Sequence, residues 1–242
     1  MRLDLSTWPE IEAYLQRSDG IILPVGSTEQ HGPMGLIGTD ALCAQTIAEA
    51  AAERAGAVVA PTLALTPAPF NMGFPGTISI SVQVFEPLVA EILAGLVGQG
   101  FRHIYVLNAH GANMESLRRV AGDRRNIRIR SWWDFEPVNA LRRDYYGDWE
   151  GMHATPSEVA ITQAMHRILP PGDASDPPRK LTAEFIKAHA GDKHGPPDEH
   201  RREFPDGRVG SHSALATPEH GWSILAAAAG AVAEDYNAFL AE

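Results

Sequence analysis

The chain has 242 residues, 44% of them hydrophobic, a single cysteine and a formal net charge of −10. That is enough apolar material for the core of one α/β domain spanning residues 1–242, and Cys43 alone can form no internal disulfide. The acidic balance argues against a nucleic-acid partner, and no stretch approaches the roughly 18 apolar residues of a membrane span. The first ten residues lack the basic start and apolar run of a secretory leader, so a cytoplasmic protein is the expectation.

In chain order, residues 21–25 form a short apolar run that predicts a buried strand. After Asp40, Cys43, Ile47, Ala50 and Ala51 fall on one helical face, with Gln45, Glu49 and Glu53 on the other. A second strand is predicted over 57–60. A helix is predicted over 85–98, with Pro87 in its first turn and Leu88, Ile92 and Leu96 four apart. Residues 104–107 read as a third strand and 113–120 as a helix. The basic-rich stretch 118–130 alternates with apolar residues, which fits a solvated helix end running into a fourth strand over 127–132. Trp132, Trp133, Phe135, Tyr145, Tyr146 and Trp149 suit either a substrate-pocket wall or a subunit interface. Helices over 156–169 and 222–240 flank residues 170–212, a long surface excursion in which only 181–190 looks helical. Strand–helix alternation of this kind predicts a three-layer α/β/α fold with a mostly parallel central sheet. Its strand-to-helix loops then gather at one edge, where such sheets bind ligands.

The reactive side chains lie in those loops. Gly26-Ser27-Thr28-Glu29-Gln30-His31-Gly32-Pro33, then Gly38-Thr39-Asp40, follows the first strand. Asn108-Ala109-His110-Gly111-Ala112-Asn113 follows the third, and His153-Ala154-Thr155-Pro156-Ser157-Glu158 opens a later helix. Mixed imidazole and carboxylate ligands suit zinc, manganese or iron, and two such ions close together can make a bridging water nucleophilic near neutral pH. Glu29, Asp40 and Glu158 with a hydroxide would balance two divalent cations. His110 alone would read as a satisfied buried histidine; its place at a strand end makes it a candidate ligand. Thr155-Pro156-Ser157-Glu158 is equally a helix-capping box, so Glu158 carries two readings, ligand or cap. Cys43 sits on an apolar helix face and reads as packing, and Ser27 lacks a nucleophile-elbow context. His189, His194, His200, His212 and His220 receive no role.

The first of these blocks resembles the opening signature of the creatininase family of amidohydrolases. Phe74-Pro75-Gly76-Thr77, the Asn108 to Asn113 block, the His153 to Glu158 block and Gly207-Arg208-Val209-Gly210 match further blocks in order, over most of the chain. The resemblance implies a dinuclear site with Glu29, His31, Asp40, His110 and Glu158 as ligands and Asp40 as the bridge. It also implies that His153 stands near the substrate, to polarise the amide or shuttle a proton. Two departures matter. Gly111 and Ala112 stand where creatininase itself has a tyrosine and a metal-binding glutamate, and Met34 replaces a more usual histidine. The reaction class therefore carries over, while creatinine as substrate does not. The expected protein is a homo-oligomer, such as a hexamer, that holds two divalent ions (Zn, Mn or Fe) and hydrolyses a C–N bond of a small open or cyclic amide. A formamide hydrolase, a small-peptide peptidase and a metal-stabilised binding protein without turnover are the alternatives.

Overall fold

The computed structural model describes residues 1–191 and 193–242. Four strands, β1 (Gly20–Val25), β2 (Val58–Val59), β3 (His103–Asn108) and β4 (Ile127–Ser131), form one sheet in the order β2-β1-β3-β4, with every neighbouring pair parallel. The helices are α1 (Trp8–Leu15), α2 (Thr39–Ala55), α3 (Val82–Gly98), α4 (Asn113–Ala121), α5 (Glu136–Tyr146), α6 (Pro156–Met165), α7 (Ala183–Ala188), α8 (Pro197–Glu203) and α9 (Pro218–Leu240).

The strands read as continuous apolar runs because both faces of the sheet are covered. Ile21, Leu23, Val25, Ile104 and Val106 point into a core shared with Tyr14 of α1, Phe85, Val89 and Leu93 of α3, and Leu117 of α4. Their neighbours Ile22, Tyr105 and Leu107 point the other way, against Ile47 of α2, Val138 of α5, Ile161 of α6 and Ile224 of α9. This is the expected three-layer arrangement. The chain steps from β1 out to β2, then back past β1 to β3 and on to β4. Helix α2 lies on one face and α3 and α4 on the other, as right-handed crossovers require when the direction reverses. The reversal leaves a crevice beyond the carboxyl ends of β1 and β3, the usual ligand position in such sheets.

Several boundaries differ from expectation. Helix α3 begins at Val82, so Pro87 is its sixth residue and not in the first turn; its ring is exposed and the helix continues through it. Helix α6 stops at Met165, four residues early, because Pro170 and Pro171 bias the preceding chain away from helical angles. Helix α9 starts at Pro218, where the Thr217 hydroxyl accepts from the His220 N–H at 3.2 Å. Helices α1, α5 and α8 were not expected. Helix α9 crosses α6 so closely at Gly221 that a Cβ there would lie 2.0 Å from the Ala160 carbonyl oxygen.

Candidate active site

Each of the expected site residues arrives at the crevice. Glu29 and His31 come from the loop after β1, Asp40 from the first turn of α2, His110 from the loop after β3, and His153 and Glu158 from either side of the α6 N-cap. None is more than 7% exposed. Tight backbone passages make this convergence possible. A Cβ on Gly26 would sit 2.3 Å from the Ala41 amide, so the end of β1 slides directly past the start of α2. Ala154 is the one non-glycine residue with positive φ, 57°, among the described residues. That left-handed kink sits between His153 and Thr155, turning the chain from the site into the helix cap, and the Ser213 hydroxyl fixes it by donating to the Ala154 carbonyl at 2.7 Å.

The side chains fall into overlapping groups whose ligand atoms lie within 4.8 Å of one another: Glu29, Asp40 and His110; His31, Asp40 and Glu158; and Glu29, His31 and His153. Asp40 is common to the first two. Its Oδ1 is 2.8 Å from His31 Nε2, and its Oδ2 is 3.0 Å from His110 Nδ1 and also accepts from the Ser27 hydroxyl at 3.0 Å. Glu158 lies 3.8 Å from His31 Nε2. Glu158 closes the expected helix cap and turns its carboxylate towards the cluster. It accepts from the Thr155 N–H at 2.6 Å while its own N–H donates to the Thr155 hydroxyl at 3.3 Å, and it faces the cluster.

Each of the three histidines is tied back by one ring nitrogen and presents the other to carboxylates. His31 Nδ1 donates to the Glu29 carbonyl at 3.1 Å, His110 Nε2 to the Pro67 carbonyl at 3.0 Å, and His153 Nε2 to the Gln30 carbonyl at 2.7 Å. In that tautomer His153 Nδ1 faces Glu29 Oε1 at 3.5 Å, and His110 Nδ1 faces the same oxygen at 3.3 Å. Backbone carbonyls holding imidazoles in this way is how metal-ligating histidines are oriented.

The electrostatics describe a site built for positive charge. Burial pushes the Glu29 and Asp40 carboxyls up, but the neighbouring imidazoles outweigh it and hold both below the usual carboxylate range. Burial pushes His31 down, and Asp40, Glu158 and Glu29 more than reverse that, holding it up to about 10; His110 is raised in the same way by Glu29 and Asp40. Burial, with Asp40 close by, lifts Glu158 to about 7. Burial and the His31 charge push His153 down to about 4, so it is a neutral imidazole at neutral pH. Glu29 decides the fit to a metal. Its Oε2 is fully buried with no partner, and its Oε1 meets only the His110 and His153 ring nitrogens at 3.3 and 3.5 Å, so a divalent cation held among them would satisfy a carboxylate that is otherwise costly to bury.

Sequence reasoning missed the frame around this cluster. Gln30 donates to Asn71 Oδ1 at 2.7 Å and to the Gly207 carbonyl at 3.0 Å, and both amides abut His153 Nε2. A Cβ on Gly207, where φ is +81°, would overlap the Gln30 amide. Residues 170–212 thus return over the site: Val209 and Gly210 bridge to the His153 backbone, and Arg208 is buried, donating to the Ala174 carbonyl at 3.0 Å. His194 and His200, given no role from sequence, pack on Phe70 with ring centroids 4.7 and 5.0 Å away, and Phe70 meets His153 edge-on at 5.9 Å. Cys43 is fully buried with its thiol pushed well up by burial, as packing requires. Of the aromatic stretch, Trp132 and Trp133 join Arg142, Met152 and Thr155 around a cavity of about 180 Å³ whose floor is the carboxylate–histidine cluster. Those two tryptophans are pocket wall.

The sequence model of the creatininase family, described as creatinine amidohydrolase, matches residues 4–236. The chain belongs to the creatininase family. Among its relatives, 3-dehydro-scyllo-inosose hydrolase of Thermotoga maritima is 36% identical over 43% of this chain, an alignment that takes in 34% of that protein. Creatinine amidohydrolase of Pseudomonas putida is 27% identical over 67% of this chain and 71% of its own length. The mycofactocin precursor peptide peptidase of Mycolicibacterium smegmatis is 39% identical over 40% of this chain and 41% of its own. A solved creatinine amidohydrolase superposes with a TM-score of 0.80 at 24% identity, covering 97% of this chain and 95% of that one. Creatininases solved in a manganese form and a Zn–Zn form share the fold at TM-scores of 0.72 and 0.73 and 24% identity, covering 97% of this chain and 96% of each.

Proposed function

We propose that this creatininase-family protein is a metal-dependent amidohydrolase that cuts a C–N bond of a small amide at a two-ion centre. Glu29, Asp40 and His110 would hold one divalent ion, His31, Asp40 and Glu158 the other, with Asp40 shared. The observation that carries this reading is the set of three histidines, each anchored by one ring nitrogen to a backbone carbonyl and turning the other towards buried carboxylates, one of which, Glu29, has an Oε2 with no partner. The manganese and Zn–Zn forms of the creatininases that share the fold support zinc or manganese there, and the ligand types admit iron as well. Divalent ions at these positions would supply the nucleophile by acidifying a water and would polarise the scissile carbonyl.

The chain's own residues do the rest. Glu158 would supply a carboxylate from the α6 cap to the ion shared by His31 and Asp40, while Gly111 and Ala112 add no ligand. His153 would accept a proton and return it to the leaving nitrogen; its hold on the Gln30 carbonyl and its neutral imidazole support that role. Trp132 and Trp133 form an apolar wall of the cavity beside the cluster, which lowers the local dielectric and strengthens the charge interactions there. A homo-oligomer goes with this reading. It is supported by Val84 and Leu88, exposed one turn apart on α3, with Ile78 and Val82 exposed just before them. A cytoplasmic setting fits a chain whose lone cysteine is buried and reduced; no described helix is long and apolar enough to cross a membrane.

The test is a hydrolysis panel with Zn-, Mn- or Fe-loaded protein on creatinine, formamides, cyclic ureides and short peptides. Metal-dependent turnover of at least one class, abolished by a chelator, is expected. Full metal occupancy with no turnover of any class would favour the binding-protein alternative.

A further inference from the structure

The cavity over the carboxylate–histidine cluster does not end at its own walls. At Gly111 and Gly191 it meets a second, more open groove of about 610 Å³ that runs along α4. Both junction residues lack side chains, which leaves the passage open. Met114 and Arg118, one turn apart, form the α4 side of the groove, and Ala190 and Lys193 face them from beyond α7.

The charge along this groove is distinctive. Arg119 is engaged by Glu86 at 2.7 Å and by Glu115, whereas Arg118 and Lys193 have no side-chain ion pair or hydrogen bond among the described residues. Other cations, Arg54, Arg102, Arg125, Arg167 and Lys187 among them, are equally without an ion pair among the described residues; Arg118 and Lys193 differ in lining together a groove that opens into the cavity. They would repel the expected ions, so the ligand they suit is an anionic group that enters by the same mouth. Arg118 lies five residues into α4 from Asn113, about 7.5 Å along the axis at ~1.5 Å per residue. An extended peptide covers that in about two residues at ~3.3–3.6 Å each.

We infer that this groove is the recognition site for the remote carboxylate of an extended amide substrate, such as a short peptide or acyl-peptide, with Arg118 and Lys193 reading the carboxylate. The inference rests on the hydrolytic reading of the cluster and narrows its substrate class from compact amides to chain-like, anionic ones. Met114 and the side-chain-free stretch at Gly111 would bed the intervening chain, and Arg119, neutralised by its own partners, would not take part.

Binding is measured apart from turnover by titrating N-acetyl-Ala-Ala, as the free carboxylate and as the C-terminal amide, into the chelated full-length protein and following the NMR shifts. The carboxylate form is expected to bind about 10-fold more tightly, the scale of two solvent-facing charge contacts. In the Arg118→Ala/Lys193→Ala double variant that ratio should collapse towards one; both side chains are exposed, so the fold is not at stake. Equal binding of the two forms, or a preference that survives the double variant, overturns the inference. So does inorganic phosphate binding more tightly than the peptide carboxylate, since the groove would then be reading phosphate. The metal-loaded protein is assayed in parallel on Ala-Ala-Ala and its C-terminal amide, and on the N-formyl-Ala-Ala pair. A carboxylate preference in binding with no turnover of any member contradicts the hydrolytic reading alone, and turnover without a carboxylate preference contradicts the groove alone.

Discussion

Glu158→Gln separates the helix cap that Glu158 forms in this structure from the metal-ligand role proposed for it. As a cap, Glu158 accepts from the Thr155 N–H at 2.6 Å, and a glutamine oxygen can accept the same bond. The cap should therefore survive, with a stability change of at most about 1 kcal/mol. Burial already lifts Glu158 to about 7, so a neutral side chain is well tolerated when no metal is bound. As a ligand, however, it is one of three buried carboxylates serving two ions, and its loss should weaken one ion at least ~100-fold, more than the usual cost of disturbing an outer-shell partner. At free metal near 100 times the native dissociation constant, that ion stabilises the native fold by about 2.7 kcal/mol. In the variant the same metal contributes about 0.4 kcal/mol, a loss of about 2.3 kcal/mol. For a chain of this length that is ~5–9 °C of the metal-induced rise in melting temperature. Scanning calorimetry with and without Zn or Mn, alongside elemental analysis, reads both quantities. The expected result is a near-native metal-free melt, a blunted response to metal, and activity lost or recovered only in excess metal. Normal metal content, a normal metal-induced shift and normal turnover would reduce Glu158 to a cap.

His153→Ala should retain its metal and lower kcat about 100-fold or more, the scale of a lost general acid or base; a loss of metal, read by elemental analysis, would make it a ligand beside Glu29 and His31. Gly221→Ala should destabilise the fold by about 2–3 kcal/mol in denaturant unfolding, because its Cβ meets the backbone oxygen of Ala160, which cannot rotate aside; unchanged stability would mean that α6 and α9 part freely. Light scattering at micromolar concentration should give a mass that is a multiple of 26.2 kDa, and a value at 26.2 kDa itself would refute the oligomer.

The strands and the reactive loops were legible because their signals are local. Apolar runs followed within a few residues by Gly or Pro mark β1 to β3, an Ile–Arg alternation marks β4, and the strand-end position of His110 marks it as a candidate ligand. What escaped reading depends on distant partners. Asn71 lies in a one-turn 3-10 segment with no periodicity, and its role as a brace for Gln30 and His153 exists only once the chain has folded. Helix α8 carries Asp, Glu, His and Arg instead of an apolar stripe; it is held by His200 packing on Phe70. An alanine in left-handed conformation, as at Ala154, has no sequence signature at all. Helix α1 did announce itself, through the Thr7–Glu10 capping box with Pro9 in the first turn, but Trp8 is 76% exposed and the apolar pattern is faint. The apolar runs that made the strands plain gave no view of which residues after Leu169 would be drawn over the site, such as Gly207, Arg208 and Val209.

If the buried carboxylates and imidazoles hold two ions, elemental analysis of the protein after dialysis against Zn or Mn, normalised to chain concentration, will count them. Close to two divalent ions per chain is the predicted value, falling to near zero with loss of turnover on chelation and returning with both on readdition. A folded protein that takes up no metal under these conditions would contradict the two-ion centre and leave the cluster a purely structural network in which the His31 and His110 imidazoles balance the buried carboxylates.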